Sequence, residues 1–182
     1  MLGLTMNKLL KATIALGAMM ILAACGDSLK SLSPEDQLFT MKVSEQFQDV
    51  MDKKDAIVAV RLEGAPAENI TLLQAKEGDI EKDILYAVTI DLPEGVVITL
   101  PEFEEVMNEQ MDAINEIVDF KVMPVKESDT QINYIAETRL NNVPYYEYCR
   151  IAVEERITTI CLGTTNDTKG AEAAINSIQF KK

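Results

Sequence analysis

Histidine and tryptophan are both missing from the 182 residues of this chain, and aromatic residues make up only 5% of it. Without histidine there is no Ser-His-Asp triad or Cys-His nucleophile pair, no His-ligated zinc or haem, and no histidine pH switch. Cations are scarce too, with Lys+Arg 17 against Asp+Glu 30 and a formal net charge of −13. Nucleic-acid binding needs Lys and Arg to neutralise phosphates, so that class of partner is excluded. There are three cysteines, eight glycines and six prolines, and no glycine-rich phosphate loop. What is present is a 47% hydrophobic and 26% charged composition, that of a folded globular chain and too apolar for a disordered one. The length fits one domain.

The N-terminus reads as an address. Lys8 and Lys11 form a short positive region, and Ala12 to Ala24 is an apolar to weakly polar run of 13 residues, too short to span about 30 Å of hydrocarbon as a helix. It closes on Leu22-Ala23-Ala24-Cys25, which resembles the bacterial lipobox. The resemblance implies a signal peptide over residues 1–24, cut before Cys25, and fatty-acyl chains such as palmitate on Cys25; an ordinary signal peptide with a chance cysteine is the plainer alternative. Met1 or Met6 is the start. Two or three acyl chains, at about 0.8 kcal/mol per buried methylene, hold a protein on a membrane where one would be marginal. The mature chain would have 158 residues and a net charge near −15, repelled by anionic headgroups, so the lipid and not the surface is the expected membrane attachment. Gly26 follows Cys25 where enteric inner-membrane lipoproteins typically have Asp. The expectation is therefore the periplasmic face of the outer membrane, with the inner membrane as alternative because Asp27 comes next.

Residues 25–36 form the lipidated N-terminus and a polar tether, Asp27 to Ser33, and residues 37–182 a single domain. Between 34 and 54 two patterns compete. Phe39, Val43, Phe47 and Met51 recur every four residues after a Ser33-Pro34-Glu35-Asp36 helix start, while Phe39, Met41 and Val43 alternate as in a strand. Ala56 to Leu62, Ile70 to Gln74 and Ile84 to Leu92 are β-branched-rich strand candidates. Thr99-Leu100-Pro101-Glu102 has capping-box spacing and opens the best helix, expected over Pro101 to Val118. Phe103, Met107, Met111, Ile114 and Val118 lie on one face, and Glu105, Glu109, Asp112 and Glu116 on the other. Lys121 to Lys126 reads as an edge strand, since Pro124 interrupts it. Gln131 to Leu140 and Val143 to Val153 flank Asn141-Asn142, a pair suited to the positive φ of a type I′ turn. A last strand runs from Ile157 to Gly163. A short helix starts at Asn166-Asp167-Thr168, and Ser177 to Phe180 closes the chain. The pattern is α+β, an antiparallel sheet packed with a long helix and a C-terminal helix.

The second half resembles the PsbP-like fold and, within it, bacterial lipoproteins of the DcrB type. The likeness rests on order: a helix like Pro101 to Val118 into a strand like Phe120-Lys121-Val122, a hairpin of the Leu140-Asn141-Asn142-Val143-Pro144-Tyr145 kind, a long strand pair like Tyr146 to Leu162, and a terminal helix with the tail Ala173-Ala174-Ile175-Asn176-Ser177-Ile178-Gln179-Phe180. It covers about 80 residues well and residues 39–95 loosely. Asn142 stands where such hairpins often have Gly, and Ser44 where a Pro often ends the first strand. The resemblance implies an α/β/α sandwich, a strand over Phe39 to Val43, no catalytic residues, and a role as an extrinsic binding or assembly factor for larger protein machines.

Few side chains invite chemistry. If Val153 pairs with Ile157 across the Glu154-Glu155-Arg156 loop, Cys149 stands directly opposite Cys161; a structural disulfide, two buried thiols and a redox pair are the three readings. The stripe Glu105, Glu109, Asp112, Glu116 suits a basic partner or is a solvated helix face. Tyr146 and Tyr148 share a face that fits a protein interface or half-buried packing, with Tyr145 on the other side and Tyr134 on the neighbouring strand. No pair among the acids is marked for glycoside hydrolysis, and Gly78-Asp79-Ile80-Glu81 with Asp83 is a poor calcium loop, so no metal site is expected. No cofactor is expected beyond the lipid on Cys25. The function read from these features is a lipid-anchored envelope lipoprotein, not an enzyme, that supports an envelope protein complex. The alternative is a periplasmic carrier of a small apolar ligand or lipid, which needs an apolar cavity between the long helix and the sheet.

Overall fold

The structure is a computed structural model that describes residues 28–34, 38–50, 70–77 and 80–181. The signal region, Cys25, the strand expected at Ala56 to Leu62 and most of the Gly78-Asp79 loop lie outside the described residues. Ten strands and two helices are described: β1 (Leu29–Leu32), β2 (Phe39–Ser44), β3 (Phe47–Asp49), β4 (Ile70–Glu77), β5 (Ile80–Asp91), α1 (Leu100–Asp112), β6 (Ile117–Pro124), β7 (Gln131–Leu140), β8 (Val143–Val153), β9 (Arg156–Thr164), α2 (Thr168–Asn176) and β10 (Gln179–Phe180).

A seven-stranded antiparallel sheet runs in the order β3-β4-β5-β9-β8-β7-β6. Neighbours in this order are mostly neighbours in sequence, and tight turns join β7 to β8 and β8 to β9. Asn141 and Asn142 take φ of 52° and 67°, the left-handed pair a type I′ turn requires, and this fixes Leu140 opposite Val143. Across the next turn Val153 faces Ile157, so the expected register holds along β8 and β9. β6 is an edge strand and ends at Pro124, where a missing N–H costs no ladder bond.

Helices cover both faces, which makes the sandwich α+β. On one face α2 sets Ala171, Ala174 and Ile175 against Leu85, Ala87, Ile160 and Leu162. A second sheet, β1-β2-β10, completes that layer with Phe39, Met41 and Val43, all at most 2% exposed. The 34–54 ambiguity thus resolves toward strand: β2 buries alternate residues and β3 follows at once. On the other face α1 lays Met107 over Tyr86, Ile132, Tyr134, Cys149 and Cys161, with Leu100, Phe103 and Met111 partly buried beside it.

Three sequence expectations need correction. Helix α1 stops at Asp112, not Val118. Ala113 caps it, a turn follows with Ile117 N–H on the Ile114 carbonyl, and the β-branched Ile117 and Val118 are drawn into β6. Ladder bonds to β7 and the Thr138 hydroxyl on the Glu116 carbonyl at 2.8 Å outweigh local helix periodicity there. Second, Ile114 and Val118, expected on the apolar face, are 43% and 56% exposed. Third, Leu29–Leu32, within the expected tether, is strand β1: it pairs Leu29 with Ser44 and Leu32 with Met41. No helix among the described residues is long and apolar enough to cross a membrane.

Candidate functional site

The two cysteines form a disulfide, with Cα atoms 4.1 Å apart and both side chains fully buried. This rules out two free thiols, and the full burial of both sulfurs favours the structural reading over the redox one. Register makes it the centre of a row: Tyr86 faces Cys161 across β5 and β9, and Tyr134 faces Cys149 across β7 and β8. The Tyr134 hydroxyl lies 3.4 Å from Cys161 Sγ, and the Tyr86 hydroxyl donates to Glu147 Oε1 at 3.0 Å. Tyr145 is buried over Gly163; a Cβ there would stand 1.7 Å from the tyrosine oxygen, so only glycine admits this ring. Glu147 and the two sulfurs come within 4.8 Å of one another. With the sulfurs bonded to each other, that trio offers no thiolate to a metal.

The residues expected to share a partner surface do not come together. Glu105, Glu109 and Asp112 are exposed on α1, but Glu116 has left the helix and sits in the turn before β6. Alternation along β8 sends Tyr146 and Tyr148 to the opposite, α2 face. There Tyr148 packs against the core under α2, and burial, set against a hydrogen bond from the Thr168 side chain, pushes its phenol above the ordinary tyrosine range.

That face also holds a group the sequence did not flag. Arg150 is 6% exposed and, among the described residues, meets no carboxylate. Its Nε donates to Asn133 Oδ1 at 2.9 Å, Nη1 to the Ile178 carbonyl at 3.1 Å and Nη2 to Asn176 Oδ1 at 3.4 Å. Burial lowers its pKa from the usual guanidinium value. Its partners are on β7, at the end of α2 and before β10, so it clamps the C-terminal segment to the sheet.

A cleft of about 890 Å³ opens at the end of the sheet where β5, β8 and β9 turn. Its walls are residues 92–101 from the end of β5 into the first turn of α1, residues 129–130 before β7, and residues 153–155 from the end of β8 to the start of β9. A turn with Val96 N–H on the Pro93 carbonyl at 2.9 Å, and Gly95 at φ 80°, shapes the first wall. It presents Val96 and Val97 at 44% and 84% exposure. Glu94, Asp129, Glu154 and Glu155 stand among the lining residues, and among the described residues no Lys or Arg does. Thr130 fixes one of these acids, donating to Glu154 Oε1 at 3.2 Å. The Pro93-Glu94-Gly95 punctuation marks this place in the sequence, but nothing there shows that three separated loops converge.

No family model matches the chain. No curated protein matches it either. Solved structures do. The solution structure of cyanobacterial PsbP (CyanoP) from Synechocystis sp. PCC 6803 aligns with a TM-score of 0.55 at 15% identity, over 88% of this chain and 99% of that one. The Saccharomyces cerevisiae Ran-binding protein Mog1p aligns with a TM-score of 0.51 at 8% identity, over 85% and 96%. At such identities the likeness concerns architecture alone. The chain has the α+β sandwich fold shared by PsbP and Mog1p.

Proposed function

We propose that this chain is a lipid-anchored envelope lipoprotein of the DcrB type, held on the periplasmic face of a membrane through Cys25, that acts non-catalytically as a binding or assembly factor for an envelope protein complex. The observation that carries the reading is the ordered run of Lys8 and Lys11, thirteen residues from Ala12 to Ala24, and Leu22-Ala23-Ala24-Cys25. Two further facts support it. A chain without histidine lacks the commonest general base. One protein of the same fold, Mog1p, is itself a Ran-binding protein. The proposed membrane is the outer one, at its periplasmic face, on the strength of Gly26 after Cys25, with the inner membrane as alternative.

The test is direct. The full-length protein, expressed at native level and fed labelled palmitate, should carry label, and Cys25→Ala should carry none. Cross-linking of intact cells should then recover one envelope protein with the anchored form only. Absence of label on the parent chain removes the lipoprotein reading; label without any specific partner removes the assembly role.

A further inference from the structure

We infer that the cleft formed by residues 92–101, 129–130 and 153–155 is the docking groove of this factor, and that its occupant is an extended protein segment with apolar residues flanked by Lys or Arg. The inference rests on the binding-factor reading above and names its surface and partner chemistry. Three observations carry it. The lip is apolar and open: Val97 is 84% exposed on a wall held by a hydrogen-bonded turn, a place where a solvated loop would ordinarily carry polar residues. Among the described residues, the charged ones that line it are all acids, Glu94, Asp129, Glu154 and Glu155. Arg156, next to Glu155 in the chain, is drawn to Asp91, with Nε 3.6 Å from Asp91 Oδ1.

Charge then selects the occupant. Anionic lipid headgroups are repelled by this rim and find no Lys or Arg among the described lining residues. A second copy would bring another acidic rim from a chain of net charge −13. A cationic, apolar segment satisfies both the rim and the floor, with the charges steering encounter and the valines holding the docked state. The roughly 890 Å³ of open space lies within the range of about 300–1,000 Å³ usual for ligand sites, enough for a few side chains and not for a folded domain.

The experiment places a benzophenone amino acid at Val97, and separately at Glu109 on α1, in the full-length chain at native level in its own cells. After irradiation, the cross-linked residue on the captured protein is mapped. A Lys/Arg-flanked apolar segment captured at Val97 is the expected result. Its yield should fall roughly fivefold or more in a Glu94→Lys/Glu155→Lys background. That variant leaves Glu154 and its Thr130 bond in place, and its intact disulfide and unchanged unfolding curve verify folding. Capture at Val97 of lipid, of a second copy or of an acidic segment overturns the inference. A partner captured at Glu109 but not at Val97 also overturns it while leaving the binding role standing. Capture at neither position removes both.

Discussion

The two faces of the seven-stranded sheet are covered in different ways. On one, α2 buries three of its nine residues, β1-β2-β10 adds a second layer, and Arg150 ties the C-terminal segment down. On the other, α1 buries Met107 alone of its thirteen residues, and the sheet beneath it is joined by a disulfide flanked by tyrosines. One face is held by packing from outside, the other by bonds within the sheet. Sparse burial makes α1 the less committed layer, the kind of element that opens locally at low free energy. It also borders the cleft through Leu100 and Pro101.

The comparison can be broken most severely on the α2 face. Arg150→Ala should cost about 3–4 kcal/mol in urea unfolding, because the Ile178 carbonyl loses its guanidinium partner and a cavity opens beside Asn133 and Asn176. Protection of α2 amides from hydrogen exchange should fall more than that of α1. Equal loss on both helices would mean that the two layers are one cooperative unit.

A smaller effect is expected from the other face. Cys149→Ala/Cys161→Ala removes a staple closing a sequence separation of 12, worth about 2–3 kcal/mol. The midpoint should drop while α2 protection keeps pace only with global unfolding. A loss below about 1 kcal/mol would show that the β8-β9 turn already fixes the hairpin.

The smallest change sharpens the contrast at the start of α1. Thr99 and Glu102 form a reciprocal capping box, with Thr99 N–H on Glu102 Oε2 at 2.9 Å. Thr99→Ala should cost about 1 kcal/mol. Hydrogen bonds from the Thr99 backbone and side chain depress the Glu102 pKa. A depressed folded-state pKa means stabilisation that is present above the unfolded carboxylate value and fades as pH falls through the folded one. The protection of α1 amides, taken relative to their intrinsic exchange rate at each pH, should therefore fall from neutral pH down into that range in the parent chain and change less in Glu102→Gln, which cannot ionise. Parallel profiles would remove Glu102 from the cap.

Legibility in the sequence followed the range of the interaction. Asn141-Asn142, the β8-β9 register, the Cys149–Cys161 bond and the N-cap of α1 all depend on residues close along the chain, and each could be read from spacing. The end of α1 could not, because the pairing of Ile117 with Thr138 competes with a good helical period. β1 could not, because Leu29–Leu32 gains its strand form only from β2. Arg150 was illegible because its partners lie 17, 26 and 28 residues away and its residue type is ordinarily exposed. The cleft is likewise assembled from three loops that only the fold brings together.

β1 has one more consequence. Its first residue, Leu29, is locked opposite Ser44, and the Ser28 carbonyl accepts from Glu45 N–H at 2.9 Å. Only Gly26 and Asp27 separate the proposed lipid-bearing Cys25 from that anchored backbone. Fully stretched, Cys25 to Ser28 spans about 10 Å, less than the roughly 15 Å radius of gyration of a domain this size. If Cys25 carries the proposed lipid, so short a leash would keep the body from reaching across the periplasm. It would search in two dimensions, skimming the bilayer, and whatever docks with it would have to come down to that height.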